Sequence, residues 1–252
     1  MRHAFLLWLL LTGSAFGQSQ APRLRIAVAA NAQFVMEKLQ AAFRKESGIA
    51  VEPIINSSGR LTTQIQQGAP FDVFLSADMD FPKILHEKGL TTEAPVVYAY
   101  GTLVVWRAGG GPLSASLKEL TAPDVRHIAL ASPKTAPYGE AAEAALQKLK
   151  LYDNVQPKLV FGESIAQVNQ YVLSGAAEVG FTAKSVVLDP KMRGKGRWVE
   201  VPGRLYTPMA QGVVVLKRTE RMAEARRFVA FLKSRTARRI FEEYGYKIGG
   251  SG

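Results

Sequence analysis

Cysteine is absent from this chain. That excludes disulfide bonds, thiolate nucleophiles and cysteine-bound metal. Histidine is nearly absent, with only His3, His86 and His127. None of them sits in an H-E-x-x-H setting, and the chain carries no G-x-S-x-G nucleophile elbow. No G-x-G-x-x-G follows a strand-like run, and Gly194-Lys195-Gly196 is too short for a nucleotide-phosphate loop. We therefore expect a protein that is not an enzyme. Past the N-terminus no apolar run is long enough to cross a bilayer. Acidic residues are the scarcer charge, 21 against 32 Lys and Arg, for a net charge of +11. The densest basic group is Lys217, Arg218, Arg221, Arg226, Arg227, Lys233, Arg235, Arg238 and Arg239, expected on one C-terminal helical face. No aromatic-studded basic loop accompanies it, so a solvated face is expected and no nucleic-acid partner.

What is present begins with an address. Arg2 and His3 precede Phe5 to Leu11, and Ser14-Ala15-Phe16-Gly17 follows. A basic start, a short apolar core and a small-residue exit read as a secretory signal over residues 1–17, cleaved after Gly17. With Arg2 removed, the charge becomes 11 − 1 = +10. No cysteine follows the apolar core, so a lipid anchor is not expected.

Short apolar runs then alternate with helix-like segments. Strands are expected at 24–30, 51–55 and 72–75, and helices at 33–45, 59–67 and 81–88. That β-α series favours an α/β sheet with mostly parallel strands. Consecutive apolar runs at 96–100 and 102–106 break the pattern at Gly101. A second series follows: strands at 127–131, 158–161 and 178–182, and helices at 140–150 and 165–173. A long apolar segment, 205–216, precedes two helices at 220–233 and 236–244.

Four strand-to-helix junctions carry small or hydroxyl residues and no acid aimed inward: Ala29-Ala30-Asn31-Ala32, Ser57-Ser58-Gly59, Thr135-Ala136-Pro137-Tyr138-Gly139 and Glu163-Ser164-Ile165-Ala166. Helix N-termini offer unpaired N–H groups and a favourable dipole, and so hold anions. Each junction alone also fits an ordinary helix start, with its serine acting as an N-cap. Two lie in each β-α series, as a cleft between two lobes would require.

The longest signature is Gln64-Ile65-Gln66-Gln67-Gly68-Ala69-Pro70-Phe71-Asp72-Val73-Phe74-Leu75-Ser76-Ala77-Asp78, preceded by Asn56-Ser57-Ser58-Gly59. Ala27 to Asn31, Ala136 to Gly139 and Asn169 to Phe181 extend it. From about Leu24 to Ile248 the chain resembles the periplasmic molybdate-binding proteins that feed ABC importers. The resemblance implies an α/β, two-lobe periplasmic binding protein fold (type II), with the ligand between lobes joined by two crossover strands. Lobe one would be 24–100 plus 207–249, and lobe two 101–206. It further implies capture of molybdate, with tungstate as a second ligand, by Ala30, Asn31, Ser58, Tyr138 and Ile165. Ala30, Tyr138 and Ile165 would offer backbone N–H, and Ser58 both Oγ and N–H. No separate cation site and no cofactor are expected. The partner would be an inner-membrane ABC permease, the location the periplasm, and the protein a monomer.

The chain departs from that family in places. Some members carry a hydroxyl residue where Ala30 stands and a ligand-binding tyrosine where Ala183 stands. Asp78 belongs to the signature but should cap or brace backbone, since a carboxylate repels a dianion. Ferric-ion-binding periplasmic proteins are the alternative. They share the architecture but use paired tyrosines and carboxylates, which suit a hard cation. No adjacent tyrosine pair exists here.

Overall fold

Why Leu24–Ala29 becomes an interior strand follows from its neighbours. This strand, β1, pairs in parallel with β2 (Val51–Asn56) on one side and β3 (Val73–Leu75) on the other. Both its faces are covered, so a near-continuous apolar run is required. Ile26 and Val28 join Val73, Leu75, Val213 and Val215 in one core. Ala27 joins Phe74 and Val214 in another, on the opposite face. The period of two is that of side chains alternating across a sheet.

The computed structural model describes residues 23–249. The expected signal segment, residues 1–17, lies outside the described residues. Helix α1 (Gln33–Ser47) ends at Gly48, whose left-handed φ of 74° suits glycine. Next come α2 (Ser58–Gln66) and α3 (Asp80–Glu87). Strands β4 (Val96–Gly101) and β5 (Leu103–Arg107) are separated by Thr102 alone. The second half runs β6 (Ile128–Ala131), α4 (Pro137–Lys148), α5 (Tyr152–Val155), β7 (Leu159–Gly162), α6 (Ile165–Ser174), β8 (Val179–Ala183), α7 (Lys184–Val187) and β9 (Arg197–Glu200). Last come β10 (Met209–Val215), α8 (Met222–Leu232) and α9 (Arg235–Glu243).

Two five-stranded sheets result, ordered β2-β1-β3-β10-β4 and β7-β6-β8-β5-β9. The chain passes from the first to the second between β4 and β5, and returns between β9 and β10. This is the expected α/β two-lobe fold with two crossings. The strands of each β-α series run parallel, as expected, and a reversed strand joins each sheet. In each sheet two of the four pairings are antiparallel, and the strands flanking the crossings, β4, β5, β9 and β10, all take part in them. The strand that enters each sheet from the other lobe, β10 in the first and β5 in the second, runs against the β-α-β series, while β4 and β9 run with it.

Two local corrections have clear causes. The helix expected from Glu140 starts at Pro137, because proline at a first helical position loses no needed hydrogen bond. The basic residues expected on one face are divided between the loop before α8, α8 itself and α9. Ser234 makes the break, its Oγ accepting the Ala237 N–H to start a new helix.

Packing separates the lobes and also joins them. Helices α1, α8 and α9 bury Phe43, Phe228, Phe231 and Phe241 against one face of the first sheet. Helices α2 and α3 bury Leu61, Ile65 and Leu85 on the other. The second lobe has its own core around Trp106, Leu130 and Phe181. Ala29, Ala30 and Ala77 of the first lobe belong to that same cluster. The two lobes are therefore in contact where β1 and β3 end.

Candidate functional site

Parallel strands end on one edge of a sheet, so the loops that follow them gather there. Ala30 and Asn31 follow β1, and Ser57 and Ser58 join β2 to α2. Ala136 to Tyr138 lie between β6 and α4, and Ile165 between β7 and α6. These four turns converge across the lobe interface on a small cavity of about 10 Å³. Ala29, Ala30, Asn31, Ser57, Ser58, Ala77, Ala136, Pro137, Tyr138 and Ile165 line it. All five expected ligand residues are thus brought together, and none is more than 4% exposed. Such a space is about that of one water-sized sphere. It is far too small for a sugar or a peptide. A far larger groove, about 900 Å³, lies beside Gln40, Arg44 and Lys45, but it is an open surface without converging helix ends.

Donors dominate this lining. Ser58, Tyr138 and Ile165 stand in the first turns of α2, α4 and α6, where N–H groups have no intrahelical acceptor. The cap reading of the serines fails on geometry. Ser57 is the N-cap of α2, yet its side chain makes no capping bond. Its Oγ is buried without a partner. Ser58 Oγ accepts the Ala77 N–H at 3.0 Å, which leaves its own proton to donate.

Asn31 is held from below. Its Nδ2 donates to Gln211 Oε1 at 3.0 Å and to Tyr246 Oη at 3.2 Å. Its carbonyl accepts Ser185 Oγ at 2.7 Å and Tyr246 Oη at 3.2 Å. Its Oδ1 has no partner. Gln211 in turn accepts Tyr98 Oη at 2.7 Å and donates from Nε2 to Tyr138 Oη at 3.2 Å. Gly101, at the first crossing, has no room for a Cβ, because Tyr138 Oη and Gln211 Nε2 occupy that space.

Charge is kept out. No Asp, Glu, Lys or Arg lines the cavity. Burial pushes the Tyr98 and Tyr138 phenols well above 10 and that of Tyr246 up to about 12, so all three remain neutral. Asp78 braces backbone, as expected. Its Oδ1 accepts Ser76 Oγ at 2.8 Å and the Phe81 N–H at 3.3 Å, at the start of α3. Burial pushes its carboxyl from 3.8 to about 6. Among the described residues no group of three or more His, Cys, Asp or Glu could hold a metal ion. Ala183 pairs with Leu103 in the second sheet and does not reach the cavity.

Contacts across the interface close the site. The Gly59 N–H donates to Thr135 O at 2.9 Å, and a Cβ on Gly59 would come within 2.9 Å of Thr135 Cα. Arg60 pairs with Glu163 at 2.6 Å, an exposed pair worth about 0–1 kcal/mol. Sequence reasoning marked the Ser57-Ser58-Gly59 turn but left Ser57 out of the ligand set, and it missed Tyr98, Gln211 and Tyr246 as supports of Asn31 and Tyr138. The one available signal was a lone glutamine inside the apolar segment 205–216.

The model of the bacterial extracellular solute-binding protein family matches residues 24–247. The molybdate-binding protein ModA of Azotobacter vinelandii is 40% identical over 232 residues, 91% of this chain and 92% of the relative. That of Rhodobacter capsulatus is 41% identical over 221 residues, 87% and 86% of the two chains. The solved periplasmic molybdate-binding protein of Azotobacter vinelandii superposes with a TM-score of 0.86 at 33% identity, covering 90% of this chain and all of that one. The sulfate-binding protein SubI of Mycobacterium tuberculosis shares the fold, with a TM-score of 0.73 at 14% identity. These relatives bind and do not catalyse, and the chain belongs to the bacterial extracellular solute-binding proteins, alongside the ModA proteins.

Proposed function

We propose that this chain captures molybdate, and tungstate with it, between its lobes and delivers the ion to an ABC permease in the inner membrane. One observation carries the reading. Four strand-to-helix turns, two from each lobe, converge neutral donors on a cavity without a carboxylate or a cation. A fully deprotonated oxyanion has only acceptors and is matched by such a site. Ala30, Tyr138 and Ile165 act through backbone N–H, Ser58 through Oγ and N–H, and Asn31 completes the set. Ser57 Oγ, buried without a partner, adds a further donor. The ModA relatives support molybdate as the ion. A hard ferric ion would need phenolate and carboxylate ligands, and this lining offers neither in ionised form.

The lobes meant are 24–100 plus 207–249 and 101–206, following a signal at 1–17. The mature protein works in the periplasm as a monomer, without a cofactor. Titration calorimetry on metal-stripped protein tests the reading. One-to-one heat with molybdate and tungstate is expected, and none with sulfate or phosphate. Heat with ferric ion but none with molybdate would reverse it.

A further inference from the structure

Gln211 and Asn31 form a buried pair of amides whose present orientation leaves two groups unmet. Asn31 Oδ1 has no donor, although the residue is 1% exposed and lines the cavity. Tyr138 Oη accepts from Gln211 Nε2, and its own proton has no acceptor among the described residues. An amide turned by 180° about its terminal bond exchanges oxygen and nitrogen with no heavy atom displaced. If both amides turn together, the bonds of Gln211 to Asn31, Tyr98 and Tyr138 reverse direction, and Tyr246 moves its single proton from the Asn31 carbonyl to Asn31 Oδ1, leaving that carbonyl to Ser185. Gln211 Nε2 then donates to Asn31 Oδ1 and to Tyr98 Oη, at the positions now 3.0 and 2.7 Å apart. Tyr98 donates to Ser76 O, already 3.2 Å away. Tyr138 donates to Gln211 Oε1, and Tyr246 to Asn31 Oδ1 at the position now held by Nδ2. All three phenol protons are used. The single group left over is Asn31 Nδ2, and it stands where Oδ1 stood.

We infer that Gln211 is a positioning residue that sets the polarity of Asn31, and that the turned pair, presenting Asn31 Nδ2 to the cavity, is the form that holds a fully deprotonated oxyanion. This rests on the oxyanion reading of the same site. With Oδ1 toward the cavity, Asn31 opposes an ion that has only acceptors. With Nδ2 there, it adds a donor. A buried mismatch of this kind discriminates strongly between ligands that differ by one proton. The register of β10 against β4 shifts between Gln211 and Gly212, where Tyr98 of β4 is the extra residue, beside the Gln211 amide it bonds.

The test combines side-chain amide NMR on the unsubstituted full-length mature protein with calorimetry on two variants, with molybdate as the probe. On saturation, the Asn31 Hδ2 protons should shift and become protected from exchange, with a smaller change at Gln211. Gln211→Glu, whose carboxylate only accepts, should hold Nδ2 away from the cavity and weaken binding about 100-fold or more. Gln211→Met, which leaves Asn31 free to turn alone, should weaken it less than about 10-fold. Tight binding with unmoved Asn31 amide protons would overturn the inference and leave the oxyanion reading standing. So would equal losses in the two variants. No heat with molybdate in the unsubstituted protein would overturn both.

Discussion

Adjacent hydroxyls at the start of α2 do different work. Ser58 Oγ has a structural duty, since it satisfies the buried Ala77 N–H. Ser57 Oγ has none. Removing Ser58 Oγ should therefore cost stability, about 1–3 kcal/mol for the stranded N–H, as well as affinity. Removing Ser57 Oγ should weaken molybdate binding by about 1.5–3 kcal/mol, the scale of a bond to a charged group, with no fall in melting temperature. Calorimetry and thermal melts of Ser57→Ala and Ser58→Ala separate the two. If Ser57→Ala keeps its affinity and melts lower by the amount of a lost cap, about 1 kcal/mol, then Ser57 is a cap after all. The sequence marked the Ser-Ser-Gly turn because hydroxyls before a helix are a local pattern. It was silent on Gln211 and Tyr246, whose bonds to Asn31 span 180 and 215 residues. No window of sequence holds both ends of such a contact.

At the scale of elements, the proposed binding is the work of helix starts, and strand ends position them. The β-α-β series was legible in the apolar runs. The antiparallel strands were not, because direction depends on where the chain returns from the other lobe, not on local pattern. Helix α3 carries the clearest pH signature. Asp78 accepts the Phe81 N–H at its start, with a carboxyl raised from 3.8 to about 6 by burial. A carboxyl raised in the folded state favours folding when protonated. Its contribution is fully present below about pH 4 and is lost as pH rises through about 6. Melting temperature should thus carry a downward component between those values. Asp78→Asn, which can still accept from Ser76 and Phe81, should flatten it and stabilise neutral protein by on the order of 2 kcal/mol. Identical pH profiles for the two proteins would show that Asp78 ionises without cost.

The whole molecule is two lobes with one shared seam. The polar contacts across it are mixed: Gly59 to Thr135, Ser185 to Asn31, Gln211 to Tyr138, Tyr244 to Asp189, and the exposed pairs Arg60–Glu163 and Lys191–Glu37. An ion that touches both lobes stabilises the closed form by the contacts it makes only there. On this account entry is expected to need opening, with backbone rotation near Tyr100 and Tyr206. Small-angle scattering should show a smaller radius of gyration with saturating molybdate than without it. Sulfate at matched ionic strength should give no contraction, because a smaller ion cannot reach donors on both lobes. Equal profiles with and without molybdate would mean a rigid, preformed cleft. The most direct measurement is a crystal of the mature protein grown with molybdate, with diffraction recorded above and below the molybdenum absorption edge. A single anomalous peak between Ser58, Tyr138 and Ile165 is expected, its oxygens within hydrogen-bond reach of N–H groups from both lobes. A peak elsewhere, or none at saturating molybdate, would contradict an oxyanion held by converging helix ends.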